Sequence, residues 1–132
     1  CAAAGGGAAA GGGGAGAWGV GVKETTIQAL IRKAICRDGR AIVTRNNTGV
    51  LRDERGIPVR FGLGRGSPDL VGMLVPSGRV FCLEIKQPGK QPTTHQRAWA
   101  RACRARGGFC GLARSVEDAM AALERALRGE SQ

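Results

Sequence analysis

Several features that would assign a chain to a particular class of protein are absent from these 132 residues. No segment is apolar over the roughly 20 residues of a membrane-spanning helix. The Ala/Gly-rich N-terminal stretch has neither the basic start nor the Leu-rich centre of a signal peptide. The five cysteines include no CxxC pair, which argues against a zinc site or a disulfide framework and predicts reduced core thiols. We therefore expect a cytoplasmic protein without a membrane partner.

A nucleotide-binding loop is also missing. Gly62, Gly64 and Gly66 resemble a phosphate cradle in composition, but no helix follows them and no GK[ST] sequence occurs. The sequence therefore predicts no nucleotide cofactor. The only histidine, His95, is expected to be a surface residue.

The charge of the chain is strongly one-sided. Twenty Lys and Arg against ten Asp and Glu give a net charge of +10, and all of these residues lie outside the Ala/Gly stretch. The first seventeen residues are Cys1 followed only by Ala and Gly and have almost no side-chain surface to bury, so we expect a disordered tail or linker at 1–19 followed by one domain at 20–132. A small basic domain favours a polyanionic partner, nucleic acid first, although a charge that only aids solubility is the plainer alternative.

Hydrophobic spacing predicts helices at about 23–37, 94–106 and from Ser115 onward, and strands at 41–46, 59–63, 69–75, 79–86 and 109–113. The turn 76–78 joins two of the strands as a hairpin, and 47–58 is expected to be a long loop. This order predicts an α/β domain with a mixed central sheet flanked by helices.

Charged residues stand at the end of that hairpin. Side chains alternate along a strand, so Glu84 and Lys86 share a face, and Asp69 on the neighbouring strand brings a second carboxylate close to Glu84. Two close carboxylates suit Mg²⁺, and a nearby lysine can orient or deprotonate a water. The set suits phosphodiester hydrolysis, but Glu84 and Lys86 could equally be an exposed pair on an edge strand.

The sequence resembles the VRR-NUC family, the virus-type replication-repair nuclease domains of the PD-(D/E)xK superfamily. The residues that carry the resemblance lie in five separate motifs between Lys23 and Leu123: Glu24 and Gln28; Arg45-Asn46 and Gly49; residues 64–72 and 82–86; Gln96 with Trp99; and residues 107–115.

The resemblance implies a restriction-endonuclease-like fold and a Mg²⁺- or Mn²⁺-dependent deoxyribonuclease. Asp69 and Glu84, with the backbone carbonyl of Ile85, would ligate the metal, and Lys86 would activate water. Glu24 would complete the site or bind a second metal, and Gln96 would hold the site or the phosphate. By position alone, Glu24 could instead stabilise its helix by interacting with the helix dipole. Gln96 could cap its helix, and this capping role is compatible with a role in the site.

The resemblance further implies branched DNA as substrate (four-way junctions or flaps), a homodimer, and a viral or phage origin within a bacterial or infected host. The alternatives are a non-catalytic nucleic-acid-binding module on the same fold and a restriction-type or Holliday-resolvase nuclease. Arg97, Arg101 and Arg104 form a helical stripe that suits phosphate contact or a plain solvated face. The residues expected to contact DNA are Arg45, Asn46, Arg52, Arg55, Arg60, Arg65, Arg97 and Arg101.

Overall fold

The computed structural model describes residues 23–132. The predicted tail at 1–19 and the predicted domain start at residue 20 therefore lie outside the described residues. Within 23–132, no helix is long and apolar enough to cross a membrane.

Three helices and six strands make up the described chain. They are α1 (Glu24–Asp38), β1 (Ala41–Arg45), β2 (Gly49–Arg52), β3 (Pro58–Phe61), β4 (Leu70–Leu74), β5 (Val80–Ile85), α2 (Thr94–Ala105), β6 (Phe109–Ala113) and α3 (Val116–Leu127). Helix α1 ends at Gly39, which has a left-handed φ of 83°. Helix α3 begins after Ser115, whose side chain accepts a hydrogen bond from the Asp118 amide.

Four strands form the central sheet in the order β1-β4-β5-β6. Strand β4 runs antiparallel to β1 and β5, whereas β5 and β6 are parallel, so the sheet is mixed. The predicted α/β class, with helices flanking a mixed sheet, is confirmed. Backbones of β1 and β4 approach so closely at Gly72 that a Cβ there would lie 1.7 Å from the Ile42 carbonyl oxygen, which explains a glycine inside a central strand.

The core lies on one face of this sheet. Alternate residues of β5, Phe81, Leu83 and Ile85, are fully buried in a cluster with the apolar faces of α1 and α3. The Phe81 and Phe109 rings stack there with centroids 5.3 Å apart. The other face of β5 carries Val80, Cys82 and Glu84, and α2 lies over part of it.

Helix α2 covers its face of the sheet only partly. No residue of α2 is buried. On the same face, Ile42, Met73 and Val80 are cross-strand neighbours on β1, β4 and β5, and each side chain is 44–48 % exposed. This face is therefore a shallow, half-open layer, whereas the opposite layer contains the core.

The structure differs from the sequence prediction at residues 47–58, for which the sequence predicts a loop. Residues 49–52 instead form β2, which pairs antiparallel with β3 in a two-stranded hairpin. Nearly every residue of this hairpin is exposed, so no buried face imposes the alternation that would mark a strand in the sequence.

The cysteine prediction is partly wrong. Cys82, Cys103 and Cys110 are free, and Cys82 and Cys110 are buried, as a core thiol would be. Cys36 is disulfide-bonded, so the expectation of reduced thiols fails for that residue. Its spacing from the other cysteines contains no signal for such a bond.

Candidate active site

Asp69 and Glu84 meet because of the register between β4 and β5. Leu70 lies opposite Leu83, so the residue before β4 and the penultimate residue of β5 are neighbours across the sheet. The Asp69 Oδ2 atom accepts a hydrogen bond from the Ile85 amide at 2.8 Å. This bond fixes the Asp69 carboxylate against the strand that carries Glu84, close enough for the two acidic groups to interact.

Glu84 is a carboxylate in a buried position, with only 6 % of its surface exposed. Its Oε1 atom accepts a hydrogen bond from Gln96 Nε2 at 2.5 Å and pairs with Lys86 Nζ at 3.0 Å. Burial and the nearby Asp69 charge raise the pKa of Glu84 to about 7, although Lys86 opposes that shift. The protein thus holds a carboxyl group whose charge is disfavoured by its surroundings.

The second oxygen of Glu84 has no hydrogen-bond partner among residues 23–132. Oε2 is buried and makes no hydrogen bond within the described part of the chain. A buried acceptor without a donor costs about 1–3 kcal/mol, and a divalent cation between Glu84 and Asp69 would remove that cost and the repulsion between the two carboxylates. The donor set therefore fits a hard cation. Among residues 23–132 no three His, Cys, Asp or Glu side chains are grouped to hold one ion, but Mg²⁺ typically binds through one or two carboxylates and keeps several waters.

Gln96 is held in place by the start of α2. Its side-chain oxygen accepts from the Thr93 amide at 2.8 Å, and the Thr93 hydroxyl accepts from the Gln96 amide at 3.2 Å. This reciprocal capping box leaves the Gln96 NH₂ group for Glu84. The same glutamine thus caps its helix and donates to the acidic pair, as the sequence allows.

Asn46 has a role that the sequence does not indicate. Its side-chain nitrogen donates to Ser67 Oγ at 2.8 Å and to the Pro68 carbonyl at 2.9 Å. Its backbone N–H group donates to the Asp69 carbonyl at 2.8 Å. Asn46 therefore braces the segment that delivers Asp69, through contacts between segments far apart in the chain that no local spacing could reveal.

Glu24 is not gathered with the acidic pair into a three-carboxylate group. It lies in the first turn of α1, half-buried, with Gln28 buried one turn further along. The metal-site role of Glu24 stays a prediction. The structure thus brings together four of the five predicted catalytic residues: Asp69, Glu84, Lys86 and Gln96.

Comparison with known proteins identifies a family for this region of the chain. A family model described as the VRR-NUC domain matches residues 23–117, which is more than half of the chain. The chain belongs to the VRR-NUC family. This is a family of nuclease domains, and the matched region contains all of the residues at the acidic pair.

A solved structure described as a VRR-NUC domain supports the fold of this VRR-NUC chain. The two are 20 % identical with a TM-score of 0.53, and the match covers 78 % of this chain and 97 % of the other. At that identity the likeness concerns the fold alone. No curated protein matches this VRR-NUC chain.

Several arginines of the domain bind other parts of the described chain, and others do not. Arg79, Arg104 and Arg114 donate to backbone carbonyls of other segments, and Arg114 thereby ties down the loop that follows Lys86. Among the residues predicted to contact DNA, the Arg52 and Arg97 guanidinium groups have backbone acceptors. The other arginines of that predicted set are exposed, and their side chains make no hydrogen bond or ion pair within residues 23–132: Arg45, Arg55, Arg60, Arg65 and Arg101.

Replacing Glu84 by Gln should stabilise the metal-free protein. An acid with a raised folded-state pKa contributes stability that is complete below its ordinary value near 4.5 and is lost as pH rises through about 7. At pH 8 in EDTA, we expect Glu84→Gln to raise the free energy of unfolding by about 1–3 kcal/mol. Chemical denaturation at pH 4.5 and pH 8 measures the effect, which should be largest at pH 8.

Glu54→Gln is the matched control, because Glu54 is exposed in the β2–β3 turn. Its free energy of unfolding should change by less than about 0.5 kcal/mol. A Glu84→Gln protein that is equally or less stable at pH 8 would contradict the assignment of Glu84 as a destabilising buried charge.

Proposed function

We propose that this VRR-NUC chain is a Mg²⁺- or Mn²⁺-dependent deoxyribonuclease that hydrolyses phosphodiester bonds at branched DNA during viral or phage replication and repair. The observation that carries the activity is the buried, unpartnered oxygen of Glu84 beside Asp69, with Lys86 at 3.0 Å from the other oxygen of the same carboxylate. Membership of a family of nuclease domains supports the same conclusion.

Asp69 and Glu84 would hold the metal, together with the backbone carbonyl of Ile85 as the family resemblance implies. A bound divalent cation lowers the pKa of a water and stabilises charge on phosphate oxygens. The chain's own contribution is rigidity, since the Ile85 amide and Gln96 already fix both carboxylates before any ligand arrives.

Lys86 supplies the positive charge next to the attacking group. Its ammonium group has three donors, and the bond to Glu84 Oε1 uses one of them. The side chain is 13 % exposed, so most of it is shielded from water. The two remaining donors can orient the nucleophilic water and stabilise charge that develops on the phosphate.

DNA contact is assigned to the exposed arginines on the segments that lead to Asp69. Arg45 ends β1, Arg55 and Arg60 lie on the β2–β3 hairpin, and Arg65 lies in the segment before Asp69. These side chains have no internal acceptor in the described residues, so they are available for phosphates. Branched substrates, four-way junctions or flaps, are proposed from the resemblance to stand-alone family members, and a panel of labelled single-stranded, duplex, flap and four-way-junction DNA tests that preference.

Lys86→Met should lower metal-dependent cleavage by about 10²–10⁴-fold, the range that a positioned proton donor or acceptor contributes. Asp69→Asn should abolish cleavage and also abolish the rise in melting temperature caused by Mn²⁺. Lys90→Met is the matched control, because Lys90 is exposed and lies four residues further along. Undiminished cleavage by Lys86→Met and Asp69→Asn would refute the mechanism, and DNA binding without any cleavage would favour a non-catalytic module.

The arginines of the β2–β3 hairpin should contribute to DNA binding through their positive charge. We expect the double variant Arg55→Ala/Arg60→Ala to bind branched DNA more weakly, with a salt dependence of log K shallower by about 0.9 for each phosphate that the variant no longer neutralises. Arg32→Ala/Arg37→Ala on exposed positions of α1 is the control with the same change in charge. Equal salt slopes for the two double variants would show that the hairpin does not contact phosphates.

A homodimer is proposed from the family resemblance and from the exposed apolar row of Ile42, Met73 and Val80. Exposed apolar patches of this kind often mark protein contacts. We expect light scattering to give twice the chain mass at micromolar concentration, and Met73→Glu to give the single mass while the fold is retained. A wild-type protein of single-chain mass under these conditions would count against the dimer.

A further inference from the structure

A cleft of about 230 Å³ opens directly beside the acidic pair, between α2 and β6. Glu84 and Gln96 line its inner end, and it extends along α2 past Trp99, Ala100 and Arg101. Drug-sized ligands occupy pockets of roughly 300–1,000 Å³, so this cleft suits something smaller. Because it shares Glu84 with the active site, its occupant would be adjacent to the reacting phosphate.

Part of the cleft wall is apolar. Trp99 is half-buried and presents a large aromatic surface, and Leu112 and Gly111 of β6 form part of the opposite wall. The thiol of Cys110 adds no charge, since burial raises its pKa to about 12. A flat group with a polarisable face fits such a wall better than a small inorganic anion does.

Cationic groups lie at the rim, and within the described residues only one of them is available to a ligand. Arg104 donates twice to the Cys110 carbonyl, and Arg97 donates to the Pro92 carbonyl. Arg101 is exposed, and its side chain makes no hydrogen bond or ion pair in the described part of the chain. The cleft thus offers one stacking surface and one available guanidinium group, which matches one base and one phosphate.

We infer that this cleft binds a single unpaired nucleotide adjacent to the scissile phosphate, with its base against Trp99 and its phosphate at Arg101. The inference rests on the proposed nuclease function for its setting, but its chemistry is separate from catalysis. A base within a duplex is stacked and cannot enter, whereas an unpaired base leaves the stack at little cost. The cleft would therefore select DNA with unpaired nucleotides next to the cut.

The test compares two single-stranded oligonucleotides of equal length, one of thymidines and one entirely abasic, by fluorescence anisotropy in EDTA. The phosphates are identical, so only the bases differ. We expect Trp99→Leu to weaken binding of the thymidine strand by roughly tenfold and to leave the abasic strand unchanged. Trp99→Phe should retain most of the affinity.

Arg101→Ala should weaken binding of both strands, because both carry phosphates, and Arg32→Ala on α1 is the control of equal charge change. Trp99→Leu should keep the fold, since no residue of α2 is buried, and Trp99→Phe tests stacking again with a smaller change. Equal weakening of both strands by Trp99→Leu, or weakening of neither, would overturn the inference.

The binding result is independent of catalysis. Binding that depends on Trp99 and on bases, in a protein that cleaves nothing, would refute the nuclease proposal and leave the cleft assignment standing. If cleavage requires Lys86 but binding does not depend on Trp99, the cleft assignment would be refuted and the nuclease proposal would stand.

Discussion

Glu84 places a carboxylate at a buried position of β5, where little water reaches its charge. Burial and the neighbouring Asp69 both oppose ionisation, and one carboxylate oxygen lacks any donor in the described residues. A core that served stability alone would place an apolar residue at this position. The arrangement becomes favourable once a cation joins the two carboxylates, so the free energy sacrificed in the metal-free fold is regained on binding.

The rest of the structure holds this pair in place and compensates only part of its negative charge. Gln96 donates to Oε1 of Glu84 and Lys86 pairs with the same oxygen, so Oε2 has no hydrogen-bond partner in the described residues. Asp69 is fixed by the Ile85 amide, and Asn46 braces the segment before it. Each of these donors has its own position set by backbone structure, a strand end or a helix cap, so the acidic pair is held in a fixed geometry before a ligand binds.

The sequence predicts the central features because they are local or periodic. The alternation of Phe81, Leu83 and Ile85 identifies a buried strand, and the same alternation places Glu84 and Lys86 on the opposite face. The β2–β3 hairpin escapes prediction because its residues are exposed on both faces and have no alternation to detect. The contacts of Asn46 and the cleft beside Trp99 depend on how distant segments pack, which spacing along the chain does not encode.

The net charge of the sequence overstates how many arginines are available to a partner. The +10 net charge predicts a polyanionic partner, yet several guanidinium groups serve the fold. Arg79 and Arg104 satisfy backbone carbonyls at the ends of helices and strands, where an unpaired acceptor would otherwise be costly. Apart from those on α1, the arginines whose side chains have no acceptor in the described residues lie on β1, the hairpin, the segment before Asp69 and α2. The chain therefore concentrates much of its available positive charge on the segments that flank the acidic pair, where a phosphate backbone would have to lie to bring one phosphodiester to Glu84.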